Sequence, residues 1–215
     1  HLCRIRKYKL FKNIIKPYFC NKYLHMKRTR STIFFLIFVI AVTTIVKFIC
    51  APRLELSGFS TIIAMSLFAG LTIKDTKVSF LFPLLALFIS DVLIQLFYTA
   101  GWFPFEGFYS GQIINYVLLV MLVLIGISMR KAKTPGIILS IIAGPLVYFF
   151  LSNFQVWASD SVTFSRDIYG LMAAYTMGLP FLKNSFISTI IFVPTFIYMY
   201  KIFMQKNKAG SFKEA

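Results

Sequence analysis

Acidic side chains are scarce in this chain. Seven Asp and Glu stand against 23 Lys and Arg in 215 residues, and charges of both signs together make up 14%. A soluble domain carries about 25%, so an ordinary water-facing surface is excluded. Histidine occurs only at His1 and His25, which removes an imidazole base or a histidine metal site from everything downstream. Cys3, Cys20 and Cys50 show neither metal-ligand spacing nor a disulfide framework. Walker A, H-E-x-x-H and G-x-S-x-G patterns are absent. The chain is therefore not read as an enzyme, no metal, cofactor or catalytic residue is expected, and it cannot hydrolyse ATP by itself. The apolar runs hold only one carboxylate, so an aspartyl dyad is unavailable.

What is present is apolar: 58% of residues are hydrophobic and 18% aromatic. The runs reach the roughly 20 helical residues that cross a hydrocarbon core. They are continuous rather than alternating, which excludes a β-barrel. The expected fold is an all-α integral membrane protein, a bundle of about six transmembrane helices over Ser31–Cys50, Leu56–Ile73, Val78–Tyr98, Gly111–Met129, Gly136–Trp157 and Ser185–Met204. Small residues at i, i+4 (Ser60/Ala64, Ser66/Gly70, Ser140/Gly144) predict close helix packing.

The net charge of +16 sits between these runs, so the membrane explains it and nucleic acid does not. The stretch from Arg4 to Arg30 is strongly basic, and the next gap has only Arg53 beside Glu55. Lys74 and Lys77 follow, then a gap with no basic residue, then Arg130, Lys131 and Lys133. Arg166 and Lys183 are offset by Asp160 and Asp167, and Lys206, Lys208 and Lys213 close the chain. This alternation predicts cytoplasmic termini in a bacterial inner membrane. Asp167 to Leu182 is apolar but short and ends near Pro180, so it is expected to be interfacial or re-entrant on the outer face.

No methionine precedes Met26, from which "MKRTRSTIFFLIF" runs straight into the first span. The expected organisation is a basic leader at 1–25 outside the native protein, a membrane domain at 26–205 and a cytoplasmic tail at 206–215. The alternative for 1–25 is a basic helix lying on anionic lipid.

Polar groups inside the spans mark the candidate site. "FPLLALFISDVLIQLFY" places Asp91 within the third span, where a charge costs about 2.5–3.5 kcal/mol on insertion scales and faces the bundle interior or a cavity. Gln95 and Tyr98 follow on the same face. Gln112 and Asn115 open the fourth span, and Asn153 and Trp157 lie near the end of the fifth, at the same outer level. Such convergence predicts a small-molecule site. Asp91 would recognise the solute, Gln95, Gln112, Asn115 and Asn153 would supply hydrogen bonds, and Trp157 would cover it. The other reading makes the chain a structural or assembly membrane protein, with Asp91 a packing anchor and the amides interhelical links. No Lys or Arg is expected at the depth of Asp91, and Lys47 is expected to snorkel to the headgroups. The carboxylate is then protonated, held by hydroxyls and amides, or open to a charge arriving from outside.

The blocks "GFSTIIAMSLFAGLTI", "FLFPLLALFISDVLIQLF", "LSNFQVW" and "YGLMAAYTMGLPFLKNSF", in that order, resemble a family of small bacterial multi-pass membrane proteins of unknown function catalogued as transport proteins. The layout is similar, more distantly, to the substrate-binding S component of energy-coupling factor (ECF) transporters. That resemblance implies an S-component-like fold, a solute site near the outer face under loops, and a separate ATPase and coupling module as partner. This chain has Ser188 and Thr189 where the first family leads one to expect an acidic residue.

Overall fold

A computed structural model describes the backbone of residues 12–109, 111–159 and 162–212 and the side chains of 31–109, 111–159 and 162–204. The first part of the expected leader and the side chains of the expected tail lie outside the described residues. The helices are α1 (Lys12–Cys50), α2 (Ile62–Thr72), α3 (Thr76–Thr99), α4 (Gln112–Met129), α5 (Lys133–Ser159) and α6 (Ile168–Phe212), with short 3-10 turns at Leu54–Leu56 and Arg130–Ala132. The described residues form no strand.

Among the described residues, four helical stretches are long and apolar enough to cross a membrane: Ser31–Cys50, Thr76–Thr99, Gln112–Ser159 and Ile168–Met204. The third holds two packed helices, α4 and α5, joined by the turn at Arg130–Ala132. Large apolar side chains such as Ile45, Leu81, Leu96, Val117, Phe150 and Ile190 lie on the surface, as lipid-facing positions require.

Two expectations change. The segment expected to span at Leu56–Ile73 forms a helix of only 11 residues, α2. At 1.5 Å per residue it is roughly 16 Å long, about half a hydrocarbon core. Every residue from Ile63 to Gly70 is buried, because α2 packs against α3, α4 and α5. It is the centre of the bundle, and its apolar run reflects contact with protein on all sides. The second change is at Asp167–Leu182, which from Ile168 onward is continuous with the last helix. α6 carries Pro180 and Pro194 in its interior, as membrane helices tolerate.

The chain divides into two compact units, Val39–Ile197 and the pair His1–Phe38 with Tyr198–Ala215. In the latter, Phe35 meets Tyr200 edge-on at 5.3 Å and Phe203 at 5.9 Å between ring centroids. In the former, the small residues act as their spacing predicts. A Cβ on Gly70 would overlap the Val123 carbonyl and the Gly126 Cα, and one on Gly126 would overlap Gly70 in return. α2 and α4 thus cross glycine on glycine. Gly144 of α5 instead packs on the Leu67 side chain of α2, whose methyl a Cβ there would overlap.

Arg130 closes one end of this unit. Its guanidinium donates to the Gly70 carbonyl at 2.8 Å and the Lys74 carbonyl at 3.2 Å, and lies 3.4 Å from the Ser79 hydroxyl. The last carbonyls of a helix lack intrahelical partners, and a cation there suits the helix dipole. Hydrogen bonds from α6 hold the loop between α1 and α2. Asn184 donates to the Glu55 and Ser57 carbonyls, and Ser185 to that of Gly58. Gly58 has φ +84°, and a Cβ on it would strike the Phe181 backbone.

Candidate functional site

The site is built where α1, α3 and α4 meet. On α3, Ser90 and Asp91 are both buried, Asp91 being 3% exposed. On α1, Thr44 and Lys47 share a face at i, i+3. The Thr44 hydroxyl donates to that of Ser90 at 3.2 Å, and Lys47 donates to one Asp91 oxygen as an ion pair. On α4, Gln112 and Tyr116 stand at i, i+4, and both donate to the other Asp91 oxygen, Tyr116 at 3.1 Å. One carboxylate therefore collects three donors from two neighbouring helices. Burying a charge without such partners would cost several kcal/mol.

The loop between α3 and α4 folds over this cluster. Gln95, one turn beyond Asp91, accepts from the Gly107 and Phe108 amides at 2.9 and 3.3 Å. Gln112 accepts from the Tyr109 amide at 3.2 Å. Gly107 lies so close to α3 that a Cβ would overlap the backbone at Asp91 and Gln95. Phe103 of the same loop is buried and stacks on Phe48 at 5.2 Å. Beneath the loop is a cavity of about 670 Å³ whose wall includes Lys47, Asp91, Gln112 and Asn115 among Leu87, Ile94 and Phe103.

A second cavity of about 560 Å³ lies among α4, α5 and α6. Tyr109 and Asn115 face both cavities. Asn115 donates to the Tyr109 hydroxyl and accepts from that of Tyr148 at 3.3 Å, so three side chains form a hydrogen-bonded partition.

The residues singled out by sequence separate accordingly. Asp91, Gln112 and Asn115 share the first cavity, and Gln95 stands beside it holding the loop. Asn153 faces the second cavity and donates to the Phe149 carbonyl at 2.8 Å. Trp157 reaches the α5–α6 connection, where its indole donates to the Ser165 carbonyl at 2.9 Å and Arg166 lies 6.0 Å from the ring centroid. The absence of a cation at Asp91 is corrected: Lys47 turns inward to it, since an ammonium at this depth gains more from a carboxylate than from apolar surroundings. Lys47 and Tyr116 were not expected at the site, and Tyr109 belongs to the aromatic loop expected to cover it. The polar stripe Thr43, Thr44, Lys47 on the first span was the legible signal, but its partner helix was not. Among the described residues no group of three or more His, Cys, Asp or Glu could hold a metal ion.

The chain belongs to the DUF6580 family, a family of unknown function whose model matches residues 27–211. No curated protein and no solved structure matches it.

Proposed function

We propose that this DUF6580 member is a membrane transport protein that binds a small solute in the Asp91 cavity. The observation that carries the reading is a buried carboxylate paired with a partly buried ammonium in the wall of an otherwise largely apolar cavity. About 670 Å³ falls within the roughly 300–1,000 Å³ of small-ligand sites. Asp91 and Lys47 are the recognition charges, Gln112 and Asn115 supply hydrogen bonds, and Gln95 holds the covering loop. In this reading the site opens toward the outer face, the termini are cytoplasmic, and the chain performs no chemistry. Energy comes from an ion gradient or from a separate ATPase and coupling module, as for an S component.

Native mass spectrometry of the purified chain tests this. A co-purified small molecule that is not lipid is expected, and it is lost in Asp91→Asn while the protein stays folded. An adduct retained in that variant removes Asp91 from recognition. A second reading makes Asp91 a packing anchor in a structural or assembly protein. It is favoured by the three donors that already satisfy the carboxylate. It expects Asp91→Asn to lower thermal stability in detergent and to change no binding.

A further inference from the structure

We propose that the second cavity is a separate binding site for a neutral, polyhydroxylated solute of about the size of a monosaccharide. This stands independently of the Asp91 reading, because it uses different side chains and a different ligand chemistry.

The walls of the two cavities differ in charge. Lys47, Asp91 and Glu106 line the first, whereas among the described residues no charged side chain lines the second. A charged solute entering the second would leave water without a counter-charge, which is strongly unfavourable in a low-dielectric interior. Neutral ligands are selected for that reason alone.

Amides with spare hydrogen-bonding capacity then exclude a purely apolar ligand. An amide side chain offers two N–H donors and a carbonyl acceptor. Asn153 uses one donor on the Phe149 carbonyl, which leaves a donor and its carbonyl for the cavity. Gln155 makes no side-chain hydrogen bond among the described residues and lines the same wall. An apolar occupant would strip water from both amides and return nothing, at about 1–3 kcal/mol for each group left unpaired. A solute carrying several hydroxyls matches donors and acceptors together.

Glycine and aromatic positions shape the space. Gly178 of α6 lies against the Asn153 amide, and any Cβ there would overlap it. A Cβ on Gly111 would lie 3.1 Å from the Gln155 nitrogen. Phe149 and Phe164, both 7% exposed, add ring surface against which the C–H face of a sugar ring can rest. The Tyr109–Asn115–Tyr148 partition separates this space from the ion pair.

The test is equilibrium dialysis of the full chain in detergent with radiolabelled glucose, myo-inositol, glucuronate and glucosamine. Glucose or myo-inositol is expected to bind saturably, and at least about tenfold more tightly than glucuronate or glucosamine, a difference of about 1.4 kcal/mol. Asn153→Leu and Gln155→Met, close in size to the native side chains, should each weaken neutral binding by about tenfold. Asn153→Asp adds a charge at nearly constant shape and should reverse the order in favour of glucosamine, which keeps the proposal testable if a Leu variant fails to fold. Three results would overturn the site: glucuronate binding as well as glucose, neutral binding indifferent to both amide replacements, or no saturable neutral binding up to roughly 10 mM.

Discussion

Lys47 of α1 and Asp91 of α3, 44 positions apart in sequence, form an ion pair. Gln112 and Tyr116 of α4 complete the carboxylate's partners, so one side chain ties three helices. Removing one member of a buried pair strands the other charge and costs about 3–5 kcal/mol, while replacing both with apolar groups of similar volume is far milder. Lys47→Met should therefore lower thermal stability in detergent sharply, and Lys47→Met with Asp91→Leu should recover most of it. Strictly additive losses in that cycle would show that the two groups do not interact.

The crossing of α2 and α4 depends on Gly70 and Gly126. A methyl at Gly70 meets backbone, which cannot rotate away as a side chain can. Gly70→Ala is expected to destabilise the protein by about 1–3 kcal/mol, the usual range for overpacking. Unfolding midpoints of the two proteins in the same detergent supply the comparison, and an unchanged midpoint would mean the helices do not approach this closely.

Lys133 has φ 50° and ψ −125° where α4 turns into α5. A side chain is disfavoured there and glycine is not. The strain is of order 1–3 kcal/mol, from which glycine's greater unfolded-state freedom subtracts up to about 1 kcal/mol. Lys133→Gly should raise the unfolding midpoint and Lys133→Val should lower it. The reverse order would contradict the turn geometry.

Asp167 caps the start of α6. Its carboxylate accepts from the Ser165 hydroxyl at 2.6 Å and the Gly170 amide at 2.8 Å. These bonds favour the charged form and hold its pKa below the ordinary 3.8, the Ser165 hydroxyl contributing most. A carboxyl with a depressed folded value stabilises the fold above its unfolded pKa, and that contribution is lost as pH falls through the folded one. The first turn of α6 should therefore stay capped down to pH 3.8 and loosen below it. Carboxyl-carbon chemical shifts across an acid titration should give a midpoint under 3.8, and Ser165→Ala should move it upward.

Composition and run length determined that this chain is helical and built for an apolar solvent, because those properties are local and cumulative. Five of the helices, α1, α3, α4, α5 and α6, cover the apolar runs, and Ser66/Gly70 and Ser140/Gly144 marked the close crossings. Asp91 stood out because a lone carboxylate in an apolar run is expensive wherever the chain goes. Tertiary structure decided the rest. An apolar run of α2's length reads alike whether it faces lipid or protein, so its place at the centre of the bundle was invisible until α3, α4 and α5 closed around it. Lys47 looked like a headgroup anchor because its distance from the membrane surface is legible in sequence and its distance from another helix is not. The same holds for Asn153, expected at the level of Asp91 but turned into a different cavity. Depth is a property of one helix, while which side chains meet depends on how helices rotate against one another, and that is fixed by packing.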